Sequence, residues 1–252
     1  MARPEIAAGV QPAPLARHEF EVAPDLIYLN HAAVGVLPRR TRLAVDEFVR
    51  AQARRGGLGV APFEAQIDAA RERVARLVGG RADRIAFLRN TSDGANVIAR
   101  GLDWQPGDEI VVSDNEFGAN VRPWLALREH GVVIRFVPTA HERLTPTVLA
   151  RMLSARTRVI AVSWVGFLDG YRHDLAGLAA VAHDGGAWLC VDAIQGLGVL
   201  PCDVEALGVD ALYAGTGKWL LGLAGLGLLY LRDDLQAVVQ PRWRGWRDVA
   251  DI

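Results

Sequence analysis

Seven short apolar runs punctuate this chain, at residues 85–88, 109–113, 132–137, 158–164, 188–193, 211–214 and 226–231. Amphipathic stretches at 94–102, 121–129, 146–153 and 175–184 separate most of them. Strands alternating with helices imply a largely parallel sheet covered by helices on both faces, because a parallel connection must recross the sheet through a long crossover. The last gap, between 214 and 226, is short and rich in glycine, too short for an ordinary helical crossover. The pattern predicts an α/β fold on a mostly parallel seven-stranded sheet whose final strand is antiparallel.

Upstream, residues 1–24 hold four prolines and read as a loosely structured arm. The spacing predicts a helix over 41–55, stopped by Gly56-Gly57. A second helix is predicted over 62–78, with Ile67, Ala70, Val74, Leu77 and Val78 on one face and Gly79-Gly80 closing it. There is no internal repeat and no low-complexity linker.

Composition narrows the function classes. Lys+Arg (28) and Asp+Glu (29) nearly balance, which argues against a nucleic-acid arm or a polybasic membrane patch. No apolar run reaches the ~18 residues of a membrane helix. Residues 1–15 contain Pro and Glu where a secretory signal has an unbroken apolar stretch. Cys190 and Cys202 make neither a disulfide framework nor a four-ligand zinc site. The expectation is a soluble, cytoplasmic protein with no nucleic-acid, membrane or metal partner.

Lys218 is the only lysine among the 28 basic residues. A lysine amine can lose its proton and attack a carbonyl, whereas a guanidinium effectively cannot. The alternative is chance in an arginine-rich composition. In open α/β sheets ligands bind at the carboxyl ends of strands, and four such ends carry suggestive residues. Asn90-Thr91-Ser92-Asp93-Gly94, before a helix expected from Ala95, is either a phosphate site or an ordinary N-cap. Phe117, in a loop of small and polar residues, either stacks on a planar ligand or staples the next helix. Asp192, ending an apolar strand, either meets a cation such as a protonated ring nitrogen or caps the following segment, with Gln195 three residues on. Lys218 lies in Ala214-Gly215-Thr216-Gly217-Lys218-Trp219, which is not a P-loop because Leu212 and Trp219 stand where Gly and Ser or Thr are required. Gly222, Gly225 and Gly227 precede a strand rather than a helix, so they are no dinucleotide fingerprint. Jointly, a phosphate cup, a stacking ring, an acid for a pyridinium nitrogen and a reactive lysine are what pyridoxal 5'-phosphate requires.

These residues, in this order, resemble the class V aminotransferase family, which includes cysteine desulfurases, selenocysteine lyases and isopenicillin N epimerase-like proteins. The matching stretches are 28–35, 90–101, 116–124 (Glu-Phe-Gly-Ala-Asn-Val-Arg-Pro-Trp), 191–195 (Val-Asp-Ala-Ile-Gln), 217–222 and 227–230. The resemblance implies the large domain of a type I pyridoxal-phosphate-dependent transferase fold over 41–240. Residues 1–40 would be an N-terminal arm, and 241–252 the start of a C-terminal small domain whose remainder is missing. It implies that Lys218 holds the cofactor, Asp192 pairs with its ring nitrogen and Gln195 sits near its phenolic oxygen. Thr91 and Ser92, with Thr216, would bind the phosphate. Phe117 occupies the ring-stacking position, and Asn30 and His31 lie where the N-terminal segment approaches the substrate. The expected substrate is an amino acid or related amine, the outcome transamination, β-elimination or epimerisation, and the assembly a homodimer.

The sequence departs from the family pattern at three places. Gly217 precedes the lysine where the family usually has His, Phe117 stands where desulfurases commonly have His, and Trp164-Val165-Gly166-Phe167 replaces an Asn near the cofactor oxygen. The desulfurase nucleophilic Cys and the substrate-gripping Arg belong to the family's small domain. Cys190 and Cys202 do not match that nucleophile. A truncated, non-catalytic cofactor-binding domain is the alternative, and an unrelated nucleotide-binding α/β protein is disfavoured by the failed glycine motifs. Trp243 and Trp246, near the end of the chain, are expected to be covered by further chain or by a partner.

Overall fold

The computed structural model describes residues 17–139, 142–243 and 245. Most of the expected arm, Trp246 and the last residues lie outside the described residues. The seven expected strands are all present: β1 (Ile85–Leu88), β2 (Glu109–Ser113), β3 (Val133–Val137), β4 (Thr157–Ser163), β5 (Trp188–Asp192), β6 (Ala211–Gly215) and β7 (Gly227–Leu231). They form one sheet in the order β1-β7-β6-β5-β4-β2-β3. Neighbours from β6 through β3 are parallel, and β7 runs antiparallel to both β6 and β1. The glycine-rich connection before β7 therefore turns the chain back, as its length dictates.

The helices are α1 (Arg39–Arg55), α2 (Gly57–Glu64), α3 (Gln66–Val78), α4 (Thr91–Gly101), α5 (Arg122–Leu125), α6 (Pro146–Met152), α7 (Leu175–Asp184) and α8 (Asp233–Val238). One face of the sheet packs on α3, α6 and α7 through Val78, Leu149 and Leu178. The other packs on α4, α5 and α8 through Ile98, Trp124 and Leu235. β5 is buried from Leu189 to Asp192, so its unbroken apolar run is that of a central parallel strand, covered on both faces. Among the described residues no helix is long and apolar enough to cross a membrane.

The first helix ends at Arg55, as the sequence reading has it, and other boundaries differ. Gly56 alone, at φ 53°, breaks α1. The chain then re-enters a helix at Gly57, which places Pro62 inside α2 rather than at the start of a longer helix. Pro62 lacks the N–H that would continue the ladder, so α2 ends at Glu64 and α3 begins separately. Helix α1 buries none of its residues, and its apolar Leu43, Phe48 and Val49 stay exposed, because it lies outside the layers that cover the sheet. The helix expected from Ala95 begins at Thr91, because the Asn90 side chain accepts the Asp93 N–H and caps it there. Close approach then requires Gly94, where a Cβ would lie 2.4 Å from the Tyr213 Cβ.

At the far ends of the central strands, Asp210 is fully buried. It accepts the Leu189 N–H (2.7 Å), pairs with Arg232 (2.7 Å) and lies 2.9 Å from His183 Nε2. Asp210→Ala would orphan an N–H and unpair a partly buried guanidinium. We expect it to lower stability by about 3 kcal/mol, measured as a urea midpoint shift at constant slope. A loss below about 1 kcal/mol would contradict that keystone role.

Candidate active site

The carboxyl ends of β1, β2, β4, β5 and β6 surround a cavity of about 430 Å³. Lys218, Asp192, Gln195, Thr91, Phe117 and Asn30 all line it. Six of the nine residues singled out from the sequence thus meet in one place, although they come from strand ends far apart in the chain.

Asp192 is 1% exposed. Its Oδ1 accepts the Ile194 N–H at 2.9 Å, while Oδ2 is buried with no hydrogen-bond partner among the described residues. Burial pushes its carboxyl up to about 7, and the Glu116 carboxylate adds to that effect; the Ile194 bond and the Lys218 charge oppose it. A buried oxygen without a partner is unfavourable in the free protein and suits a cation or donor brought by a ligand. Lys218 is partly buried, and burial lowers its proton affinity against the pull of Asp192. Its Nζ lies 5.7 Å from the centre of the Phe117 ring.

The loop bearing Lys218 is pinned from several sides. Gly35 N–H donates to the Gly217 carbonyl at 2.8 Å, and a Cβ at Gly35 would fall 2.1 Å from the Lys218 carbonyl oxygen. The Thr216 hydroxyl faces the Leu223 (2.8 Å) and Leu226 (3.1 Å) carbonyls. Leu221 adopts the left-handed φ of 54°, and its N–H donates to the Lys218 carbonyl. This loop therefore presents the amine from a fixed backbone.

Thr91 is buried on the cavity wall, where its Oγ1 accepts the Gly215 N–H at 3.0 Å. Because Asn90 is the cap, Thr91 and Ser92 keep free backbone N–H groups at the start of α4. The cap at Asn90 leaves these N–H groups available. Ser92 lies in the first turn but does not reach the cavity wall, nor does Thr216. Gln195 spends both ends of its amide: Oε1 accepts from Trp219 Nε1 (2.8 Å) and Nε2 donates to the Ala32 carbonyl (3.0 Å). His31 stacks on Trp219, with centroids 5.8 Å apart, behind the wall that Asn30 lines.

Phe117 is 47% exposed, meets Phe167 edge-on at 5.1 Å and lines the cavity. Phe167 also lines the cavity, although sequence reasoning noted it only as part of a departure from the family pattern. Glu116 was not singled out either. Its signal was an acidic residue between a strand end and an aromatic. Neither cysteine lines the cavity: Cys190 is fully buried and Cys202 partly so, and burial pushes the Cys202 thiol up to about 12.

Comparison with known proteins gives a consistent picture. The class V aminotransferase family matches residues 27–250. A probable cysteine desulfurase of Methanothermobacter thermautotrophicus is 32% identical over 241 residues, covering 94% of this chain and 60% of the relative. The crystal structure of the cysteine desulfurase CsdA from Escherichia coli superposes with a TM-score of 0.84 at 29% identity, covering 94% of this chain and 62% of that one. A lysine mutant of C-DES, solved with glycine covalently linked to its pyridoxal-phosphate cofactor, superposes with a TM-score of 0.85 at 27% identity, covering 94% and 64%. The chain thus spans about 60% of the length of the curated relatives it matches.

Proposed function

The chain belongs to the class V aminotransferase family, and from that premise we propose that it is a pyridoxal-5'-phosphate-dependent enzyme acting on an amino acid or related amine, by a lyase, epimerase or transaminase outcome. One observation carries this reading: the buried, unpartnered Oδ2 of Asp192 shares a cavity with the only lysine of the chain. The residues fit the cofactor. Lys218 would hold it covalently, Asp192 would face its ring nitrogen, and Phe117 would cover the ring. Thr91 and the N–H groups at the start of α4 would receive the phosphate, and Ser92 and Thr216, off the cavity wall, would join them only after turning towards it. Gln195 would approach the phenolic oxygen after releasing one of its two present partners. Residues 41–240 would form the cofactor-binding domain.

When bound, the cofactor supplies an electron sink for a bond broken at the substrate's reacting carbon. The protein's part follows from its own groups. Lys218, once free, is a general base beside that carbon, and its burial favours the neutral amine that can accept a proton. Asp192 supplies the negative charge that keeps a ring nitrogen protonated. Phe117 and Phe167 form one apolar wall, and Asn30 and His31 would bring the N-terminal segment towards the substrate.

A second reading, a cofactor-binding domain without turnover of its own, is favoured by one feature. Among the described residues no cysteine lines the cavity, so no thiolate nucleophile is in place, and the arginine beside it, Arg89, lines only the adjoining pocket that shares Lys218 and Thr91. The two readings part under assay. Protein loaded with pyridoxal phosphate is offered a panel of amino acids, and keto acid, sulfide and racemised product are measured. The first reading expects turnover of at least one; cofactor capture with none establishes the second.

A homodimer belongs to this proposal. Ile27, Leu29 and Val34 leave apolar surface exposed in the segment that carries Asn30 to the cavity, and Val49 and Leu58 leave more on α1 and α2. Sedimentation equilibrium should give twice the chain mass, and a monomer would refute it. The cytoplasmic placement expected from the sequence stays with the same reading.

A further inference from the structure

On β5, Asp192 stands between its register partners Ser163 of β4 and Tyr213 of β6. Both partners lead to one carboxylate. The Ser163 N–H donates to Glu116 Oε1 at 2.6 Å, and the Ser163 hydroxyl donates to Oε2. The Tyr213 hydroxyl donates to Asn120 Oδ1, and Asn120 Nδ2 donates to Glu116 Oε2 at 3.2 Å. Burial raises the proton affinity of the Glu116 carboxyl, and the Ser163 and Asn120 donors, all ending on its oxygens, oppose that by favouring the carboxylate. Asp192 is thus bracketed on both sides by groups tied to a second acid.

We propose that Glu116 is a positioning residue for Asp192: tied through Ser163 and through Asn120 and Tyr213 to both strands that flank it, its carboxylate adds to burial in holding the Asp192 carboxyl neutral until a ring nitrogen is seated at Oδ2. This rests on the cofactor reading above for the identity of that partner. The groups facing Asp192 are few. Lys218 favours its ionised form; Glu116 and burial oppose it; the Ile194 N–H donates to it; Tyr213 on β6 and Cys190 on the same strand are buried and held neutral, their acidities weakened by burial. The proton then balances without solvent. Asp192, neutral while the site is empty, would supply the proton to a ring nitrogen that arrives without one and would then face it as a carboxylate. No net proton is taken up at this contact, and the charge pair forms only in place.

The test uses the apoprotein, so its outcome is independent of the cofactor reading. Protein labelled with ¹³C at aspartate carboxyls is titrated by NMR, and the Asp192 resonance is identified by its loss in Asp192→Asn. The wild-type midpoint should lie at about 7. Glu116→Gln, which keeps the shape and removes the charge, should lower it by about one pH unit, a tenfold change in proton affinity. Glu116→Asp, which keeps the charge, should stay near the wild-type value. A Glu116→Gln midpoint equal to that of the wild type overturns the proposal, as does a downward shift shared equally by Gln and Asp. If Glu116→Gln does not fold, a wild-type midpoint near the ordinary carboxylate value of about 4 overturns it without any variant.

Discussion

Lys218→Arg is expected to abolish covalent cofactor capture and to lower turnover of any accepted amino acid by at least about 10⁴-fold. Arginine keeps the positive charge opposite Asp192 but cannot serve as a neutral amine at accessible pH. The substitution therefore separates nucleophile and base from mere charge. The fold should survive, because the lysine side chain is only partly buried and the Phe117 ring it lies over is itself exposed. Thermal unfolding of the apoprotein should shift by no more than about 1 kcal/mol equivalent. Retained capture at wild-type affinity with a covalent product would show that some other group forms the bond.

Asp192→Asn should act in two opposite directions. Turnover should fall by about 10²–10³-fold, because the amide cannot supply the charge that holds a ring nitrogen protonated. Stability of the apoprotein should rise at pH 8. In the folded protein the carboxyl titrates at about 7, against about 3.9 in an unfolded chain. The native state therefore holds the proton more tightly than the unfolded state does. Stability falls as pH climbs between those two values and stays reduced above the higher one. Asparagine removes that dependence, so the gain should be absent near pH 4 and reach an upper bound of about 4 kcal/mol at pH 8. Urea melts of both proteins at the two pH values measure it. Equal stability at pH 8, or a gain already present at pH 4, would contradict this electrostatic account. A site that is unfavourable when empty and functional when filled is the expected trade.

How far the sequence led depends on which physics each element obeys. The strands were legible because central strands such as β5 are buried on both faces and must be apolar throughout. The antiparallel return of β7 was legible because chain length limits crossovers. The end of α1 at Arg55 was legible from Gly56, but the helix that restarts at Gly57 was not, because Gly57 and Pro62 read as a stop and a start rather than as helix interior. The apolar residues of α1 looked like a core face, but periodicity does not say which partner covers it. At the site, Lys218, Asp192, Thr91 and Phe117 were legible from their places at strand ends. Which bonds occupy Gln195 and Thr216 was not, because those bonds go to Trp219, Ala32, Leu223 and Leu226 through tertiary contacts. Glu116 stayed hidden for the same reason: its importance lies in Ser163 and Asn120, which only the folded sheet brings to it.

The most direct measurement is covalent trapping. The purified chain is mixed with pyridoxal 5'-phosphate, reduced with borohydride, digested and analysed by peptide mass spectrometry. The account predicts a visible band that reduction removes and a phosphopyridoxyl adduct on the peptide carrying Lys218. No adduct at any stoichiometry, or label confined to the chain's amino terminus, would contradict it.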